Sequence, residues 1–356
     1  MQNNVISTKQ AIYILIMFIL GNSLMYTGSK AKQDTWLAVL IALVLFAPMM
    51  MVYARIVSLY PGKNLYAIVI DVFGKFLGKA IIFLYVLYAI SLGTLLMRNF
   101  SEFIHVVAMS ETPKIVPLVF LFTLSVWMIK SGVETLGRWT RVALPVVLVA
   151  VAVTLLISIK SMNFSNLKPV AGTEFNILMD SAFILFSFPF AETVLFTILF
   201  GSVKANSNPY KIYIYGVVIS TLIFLVAGFR NTLVLGLSLD MFYFASYAAV
   251  STISLGEFFT RIEVLIGLAF LLDLFVKLCV CMFAASMGIS KIVNIKNYKE
   301  LAIPVGLLMM TLAIILFANI LEMYDWLDIY KYFALPFQVI LPLIILAGAE
   351  IKTRLK

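Results

Sequence analysis

The sequence predicts an all-α integral membrane protein with about ten transmembrane helices. Of its 356 residues, 63% are hydrophobic and only 12% are charged, whereas soluble domains are about half apolar and about one quarter charged. Apolar segments long enough to cross a bilayer recur along the whole chain, and the polar segments between them are short. These observations predict a single integral membrane domain over residues 1–356.

The predicted spans follow one another without a long linker. The N-terminal residues lack the basic region and small-residue cleavage site of a secretory signal, so the first apolar stretch is interpreted as the first span. Residues 238–260 are semi-polar and aromatic, and we expect them to form a short helix on the membrane surface. The spans are predicted at residues 9–30, 35–58, 77–106, 114–130, 140–159, 175–202, 211–236, 259–289, 300–320 and 333–350.

The distribution of Lys and Arg predicts the orientation of the chain, because these residues favour the cytoplasmic side of a membrane. When the N-terminus is placed inside, every loop on that side is basic, as in the loop that carries Lys130, Arg138 and Arg141. An even number of spans then places both termini in the cytoplasm. These basic loops account for the net charge of +9, so no nucleic-acid partner is predicted.

The sixth span is predicted to be broken in its middle. Residues 183–197 read FILFSFPFAETVLFT and place Pro189 and Glu192 between two apolar flanks. Proline removes a backbone donor and clashes with the preceding turn, and a carboxylate at membrane depth must face protein or water. Transporters build binding sites at such interruptions. A kink without function at Pro189, and a structural hydrogen bond from Glu192, are the alternative interpretations.

The first span also has a weak middle, at Gly21, Asn22 and Ser23. Gly and Asn are poor helix formers, although small residues also serve close helix packing in membranes. Five spans separate the two interruptions, and an odd offset reverses the direction of the chain across the membrane. The sequence therefore predicts two repeats of inverted topology, at about 9–160 and about 175–351.

A ligand-binding site is predicted where the two interruptions meet. Backbone groups released there, and the N-terminal ends of half-helices, would bind polar or anionic groups of a ligand. For the phenylalanines of this region, ordinary lipid or core contact is the alternative. The predicted ligand-binding residues are Gly21, Asn22, Ser23, Phe188, Pro189, Phe190, Ala191 and Glu192.

Two opposite charges lie inside the eighth span. Asp273 and Lys277 are four residues apart, which places them on one face of a helix and close enough to pair. We predict a structural ion pair between them. The alternative is a proton- or cation-coupling element, because buried charged groups titrate readily.

Charged residues also cluster at the ends of two spans. Glu257, Arg261 and Glu263 open the eighth span, and we expect them to form an outer-face salt-bridge network. Glu134 and Arg138 have the same helical spacing at the inner end of the fifth span. Both clusters are interpreted as structural.

The sequence contains no pattern typical of an enzyme. It has neither a glycine-rich phosphate loop nor a Ser–His–Asp arrangement, and its one histidine, His105, excludes a His-cluster metal site. Cys279 and Cys281 lie on different faces of one apolar helix and suit neither a disulfide nor a metal site. We therefore predict no catalytic activity, no cofactor and no metal.

Six short patterns occur in order along nearly the whole chain. They are DTW at 34–36, GKFLGK at 74–79, GVETLGR at 132–138, NLKPV at 166–170, FPFAE at 188–192 and GEFFTRIE at 256–263. Together they resemble the B subunit of the nutrient germinant receptors of endospore-forming bacteria. That family is the spore-germination branch of the amino acid–polyamine–organocation permease superfamily. The family usually has Gly at the position of Ala191.

The resemblance implies a LeuT-type fold and a location in the inner membrane of the spore or cell. It also implies assembly with a larger A subunit and a lipoprotein C subunit. In that family the B subunit binds a small nutrient germinant, often an amino acid, and starts germination. Two other functions stay open at this point: a proton- or cation-coupled amino acid permease, and a germinant-gated ion or water channel.

Overall fold

The computed structural model describes residues 5–21, 30–253, 261–317 and 319–354. Within these ranges the regular structure is helical, apart from one isolated β-bridge between Ile6 and Val203. The all-α fold class is therefore confirmed. The α-helices are α1 (Thr8–Leu20), α2 (Thr35–Ser58), α3 (Leu65–Val107), α4 (Ile115–Ser131), α5 (Val133–Ser158), α6 (Phe175–Leu185), α7 (Pro209–Leu235), α8 (Ala245–Ser251), α9 (Glu263–Val293), α10 (Ala302–Ile315), α11 (Ile320–Leu335) and α12 (Leu341–Arg354).

Each predicted span contains at least one described helix. Eight helical segments of the described chain are long and apolar enough to cross a membrane, and α1 and α4 are two shorter apolar helices. The sixth span combines α6 with a π-helical turn at Phe186–Phe190 and a 3₁₀ segment at Ala191–Ser202. The last span combines α11, a π-helical turn at Pro336–Ile340 and α12.

Two spans begin earlier than the sequence predicts. Helix α3 starts at Leu65 instead of residue 77, and α5 starts at Val133 instead of residue 140. The Asn64 side chain caps α3 by accepting a hydrogen bond from the Ala67 amide at 2.8 Å. Gly74 interrupts the early part of α3 with φ 77° and ψ −179°, a conformation that suits glycine. Charged residues near these helix starts, such as Asp71 in α3 and Glu134 in α5, lower the local hydropathy, so the apolar pattern starts later than the helix.

The last predicted span is also too short at its start. Residues 321–332 lie between two predicted spans, but they belong to α11. The Asn319 side chain caps this helix by accepting a hydrogen bond from the Glu322 amide at 2.9 Å. Acidic residues in a first turn also stabilise a helix through its dipole. The segment is thus helical, although its charged residues lower its hydropathy below that of a typical membrane span.

Short helices occupy the described part of the segment predicted to form a surface helix. A 3₁₀ helix runs over Gly236–Met241 and is followed by α8. Residues 254–260 lie outside the described residues. The expectation of short helical structure is confirmed, whereas its position on a membrane surface stays a prediction.

Helix α9 lies at the centre of the bundle. It packs against α1, α3, α4, α5 and α8, and it also contacts the 3₁₀ segment of the sixth span. Helix α1 is enclosed between α5, α7 and α9. The two interrupted spans and the charged helix α9 therefore meet in the interior of the protein.

The start of the first span and the end of the sixth lie at the same end of the bundle. The Ile6 amide donates to the Ser202 carbonyl at 2.7 Å, and the Lys204 amide donates to the Ile6 carbonyl at 3.1 Å. The Thr8 and Ser207 hydroxyls are hydrogen-bonded at 2.8 Å. This arrangement gives the two interrupted spans opposite directions, as their separation along the chain predicts.

At the other end, Asp34 joins the start of α2 to the chain that leads into α6. Its side chain is fully buried. One carboxylate oxygen accepts from the Ala171 amide at 2.8 Å, and the other accepts from the Thr173 amide at 2.9 Å. The Thr173 hydroxyl donates to the Ala31 carbonyl at 3.1 Å. Asp34 thus fixes the position from which α6 begins.

Replacing Asp34 by Asn is expected to destabilise the protein by about 1–3 kcal/mol, because an amide has only one acceptor oxygen and leaves a buried backbone N–H unpaired. The measurement is the melting temperature of the protein in detergent, which should fall. Asp240→Asn is the control, because Asp240 is partly exposed and its Oδ2 is 3.8 Å from Lys32 Nζ. Such an exposed pair contributes little to stability. Equal melting temperatures for the two variants would contradict the role given to Asp34.

Candidate functional site

The sixth span is broken at the predicted place. Helix α6 ends at Leu185, and Phe188 leaves helical geometry with φ −145° and ψ 103°. The chain then continues from Ala191 to Ser202 as a 3₁₀ helix, a form that rarely extends beyond four residues. Pro189 lies inside the turn and removes one backbone donor. The break places Glu192 in the first turn of the 3₁₀ segment.

Helix α1, the described helix of the first span, ends beside this break. Its last residue is Leu20, with Gly21 as its C-cap residue. A Cβ atom added to Gly21 would lie 3.0 Å from the Asp273 carbonyl oxygen and 3.0 Å from Lys277 Cβ. The end of α1 therefore packs directly on α9. Asn22 and Ser23 lie outside the described residues, so their assignment stays a prediction.

Several carbonyl groups of the break already accept hydrogen bonds from side chains. Gln338 donates to the Ser187 carbonyl at 2.7 Å, Tyr53 donates to the Ala191 carbonyl at 3.2 Å, and Tyr213 donates to the Thr193 carbonyl at 2.9 Å. A buried carbonyl without a partner is costly, and these polar side chains satisfy the interruption. Polar side chains of neighbouring spans thus stabilise the irregular backbone at the break.

An ion pair between Glu192 and Lys277 occupies the point where α1, α9 and the break meet. Both side chains are 0% exposed, and Lys277 Nζ donates to Glu192 Oε2. The Tyr330 hydroxyl donates to the other carboxylate oxygen, Oε1, at 2.7 Å. Opposite charges with further hydrogen bonds are the arrangement in which buried ions persist. Glu192 is therefore bonded through both of its oxygens.

Aromatic rings border the ammonium group of Lys277. Its Nζ lies 5.0 Å from the ring centroid of Phe18 and 5.1 Å from that of Phe188, distances at which the ring quadrupole attracts a cation. Phe190 has a different role, since it stacks on Phe46 with the ring centroids 5.8 Å apart. Of the two predicted aromatic site residues, only Phe188 faces the charge.

The predicted ion pair between Asp273 and Lys277 is wrong. The spacing does place both residues on one side of α9, but Lys277 pairs with Glu192 of another span. Glu192 is the better partner for Lys277 than Asp273. Its second oxygen accepts from Tyr330, and two aromatic rings lie near the Lys277 ammonium group. Asp273 is buried, and its Oδ1 has no hydrogen-bond partner among the described residues.

The predicted outer-face network is described only in part. Arg261 Nε and Glu263 Oε1 are 3.8 Å apart, and the Arg261 side chain is largely exposed. A solvent-exposed pair of this length contributes little. Glu257 lies outside the described residues. At the start of α5, the predicted pair of Arg138 and Glu134 forms with a distance of 2.6 Å between Nη2 and Oε1.

A buried hydrogen-bond network extends from Glu192 through residues that the sequence did not indicate. The Tyr330 and Tyr88 hydroxyls are 3.0 Å apart, and Gln338 Nε2 donates to the Tyr88 hydroxyl at 2.8 Å. The Ser187 hydroxyl donates to Gln338 Oε1 at 3.0 Å. Tyr330 and Gln338 are eight residues apart, which places them on one helical face. That spacing was the available signal, although Tyr330 lies before the predicted span 333–350 and Gln338 lies within it.

Replacing Tyr330 by Phe is expected to destabilise the protein by about 1.5–3 kcal/mol, because the change removes a hydroxyl that donates to a charged carboxylate and leaves the ring in place. The measurement is the melting temperature of the protein in detergent, which should fall. Tyr332→Phe is the control, since Tyr332 is exposed. Equal melting temperatures for Tyr330→Phe and the wild type would contradict this role.

The fold and its interrupted centre define a membrane protein of the LeuT transporter fold. Mhp1, a nucleobase-cation-symport-1 family transporter in a closed conformation with bromovinylhydantoin bound, is similar with a TM-score of 0.70 and 13% identity, over 97% of this chain and 78% of Mhp1. MhsT in complex with L-phenylalanine is similar with a TM-score of 0.63 and 13% identity, over 95% of this chain and 87% of MhsT. At this identity the similarity is one of fold.

The chain belongs to the spore germination protein family, whose sequence profile matches residues 5–323. Spore germination protein KB of Bacillus subtilis (strain 168) is 30% identical over 356 residues, which cover 98% of this chain and 95% of the relative. Spore germination protein YndE of the same organism is 23% identical over 298 residues, which cover 81% of each chain. The resemblance seen in the sequence is thus confirmed. The chain is a multi-pass membrane protein with a germinant-receptor or permease-like role.

Proposed function

We propose that this chain binds a small germinant, an amino acid, between the end of α1 and the break at Phe186–Phe190, and that binding triggers spore germination. The observation that carries this proposal is the fully buried pair of Glu192 and Lys277. Charged residues inside a membrane protein mark functional sites. This pair lies where two interrupted spans meet, which is where transporters of this architecture bind their substrates.

An amino acid suits the pair because it carries the same two charges in one molecule. Its ammonium group would replace Lys277 as the partner of Glu192, and its carboxylate would replace Glu192 as the partner of Lys277. Each protein charge then keeps an opposite charge throughout the exchange. This matters because leaving either charge alone in the interior is strongly unfavourable.

The described state is closed to such a ligand. Glu192, Lys277 and Ala191 are all fully buried, and Gly21 packs against Lys277. Binding therefore requires α1 or the break to move away from α9. A ligand shifts this equilibrium only by binding the open arrangement more tightly than the closed one. The ion pairs that the ligand forms with Glu192 and Lys277 exist only in the open arrangement, and they supply this difference in affinity.

The proposal extends to the surroundings of the chain. We place it in the inner membrane with both termini in the cytoplasm, as its basic loops favour. The inverted repeats are residues 9–160 and 175–351, approximately. A larger A subunit and a lipoprotein C subunit are the proposed partners that respond to the movement of the helices.

A proton- or cation-coupled amino acid permease is the second candidate function. It is favoured by Asp273, a buried carboxylate whose Oδ1 has no partner among the described residues and which lies one helical turn from Lys277. A carboxyl group in such a place can bind and release a proton or a cation. The same site would then serve transport instead of signalling.

Vesicles that carry this chain alone distinguish the two candidates when a panel of radiolabelled L-amino acids is tested. The receptor proposal predicts saturable binding of at least one of them without accumulation under an imposed proton gradient. The variant with Glu192→Gln and Lys277→Met should bind none. Gradient-driven accumulation would support the permease. Binding that persists in the variant would contradict the proposed site.

A further inference from the structure

A cavity lies beside Tyr330, on the other side from Glu192. It has a volume of about 160 Å³ and is formed between α3, the residues that follow α10, and α11. It opens at the surface of the bundle beside Leu316, which is half exposed. Its lining includes Thr94, Leu95, Phe317, Trp326, Tyr330 and Phe333. Tyr330 is buried, so its ring separates this cavity from the ion pair.

We propose that this cavity is a second small-molecule site, which takes an uncharged, largely apolar ring compound with one hydrogen-bonding group and controls the ion pair through Tyr330. The size fits, since a cavity of about 150 Å³ in another protein accepts benzene. The aromatic walls also suit a ring compound. The ring centroids of Trp326 and Phe333 are 5.8 Å apart, and those of Tyr330 and Phe333 are 6.3 Å apart.

One buried polar atom in the wall has no partner among the residues that the structure describes. Thr94 is 1% exposed, and its hydroxyl makes no hydrogen bond within the described part of the chain. Two other polar groups of the lining already have partners: the Ser91 hydroxyl donates to the Tyr88 carbonyl at 2.9 Å, and the Tyr330 hydroxyl donates to Glu192. An unsatisfied buried hydroxyl is costly. A ligand with one hydroxyl group would satisfy Thr94 while its ring fills the apolar space.

Tyr330 connects an occupant of the cavity to the germinant site. Its ring packs against Phe188 with the centroids 5.6 Å apart, and its hydroxyl holds Glu192. An occupant that fills the cavity would hold Tyr330 against the closed ion pair. Such a compound should therefore oppose the response to a germinant. This regulatory effect rests on the proposed function, whereas binding at the cavity does not.

Binding is tested with para-bromophenol, whose bromine quenches tryptophan fluorescence, on the full chain in lipid nanodiscs. We expect a saturable quenching component that disappears in Trp326→Phe. Thr94→Val keeps the shape of the side chain and should weaken binding of para-bromophenol about fivefold, without changing binding of bromobenzene. Leu95→Phe fills the cavity and should remove the saturable component, whereas Leu308→Phe, on the exposed face of α10, should keep it.

Quenching that rises linearly in every variant would show only partition into lipid and would overturn the site. The regulatory effect is tested in spores, where para-bromophenol should raise the germinant concentration for half-maximal response in the wild type and Leu308→Phe but not in Leu95→Phe. Equal inhibition of all three strains would overturn the control of Tyr330 by the cavity. That result would leave the germinant site itself unaffected, because the site is tested separately with labelled amino acids.

Discussion

Lys277→Met alone is expected to remove most of the protein from the membrane, whereas Lys277→Met combined with Glu192→Gln should restore its amount but not its response to germinant. Breaking a buried pair by removing one partner costs about 3–5 kcal/mol, because the remaining charge is left alone. Removing both charges avoids that penalty. The double variant retains a donor and an acceptor at residue 192 beside Tyr330.

This experiment separates stability from function, which a single substitution at Glu192 does not. Protein amount is measured by immunoblot of spore membranes, and response is measured by germination under saturating germinant. The matched control is Arg138→Met with Glu134→Gln, since that pair joins the same kinds of charge and Arg138 is largely exposed. The control should change neither quantity appreciably. A normal response in the Glu192 and Lys277 double variant would exclude the ion pair from the binding site.

Gly21→Leu is expected to abolish the response, or to raise the required germinant concentration by about one to two orders of magnitude. A Cβ at this position meets backbone and side-chain atoms of α9 at 3.0 Å. Adding a larger side chain to a packed position costs about 1–3 kcal/mol, and each 1.4 kcal/mol corresponds to a factor of ten. The leucine would occupy the space beside Lys277 in which the ligand binds.

Gly228→Leu provides the matched control for this prediction. Gly228 is also a helical glycine, in α7, but a Cβ built there has no atom of the described residues within 4 Å apart from its own stretch of helix. We expect a normal dose–response curve for that variant, measured beside Gly21→Leu at equal protein amounts. If Gly21→Leu spores respond like Gly228→Leu spores, the end of α1 serves packing only.

The break itself could be predicted from sequence, because its causes are local. Pro189 removes a backbone donor, and the charge of Glu192 stands out in an apolar segment. The end of α1 was indicated by Gly21 in the same way. The partner of Glu192 could not be predicted, because Lys277 is 85 residues away in the chain. Asp273 offered a local partner at helical spacing, and only the packing of α9 shows that Lys277 faces the break.

The other residues of the site could not be predicted, because the composition of their segments gave no sign of them. Tyr330 lies in α11, whose acidic residues make its sequence resemble that of a loop. The segment is nevertheless a helix, capped by Asn319. Tyr88 lies within the long helix α3, and Gln338 lies in the π-helical turn of the last span. In such apolar surroundings one polar residue gives no sign of its partner. A hydrogen-bond network between distant spans depends on helix rotation and tilt, which the periodicity of one span does not determine.

The most direct test of the exchange of partners is the distance between the Glu192 carboxylate carbon and Lys277 Nζ, measured by solid-state NMR in membranes. Carbon-13 and nitrogen-15 labels on Glu and Lys give this distance, and the Glu192→Gln variant identifies the signal. We expect a short-distance contact in the ligand-free protein that is lost when a bound L-amino acid saturates the site. A contact that persists unchanged in the saturated protein would contradict the proposal that the germinant separates Glu192 from Lys277.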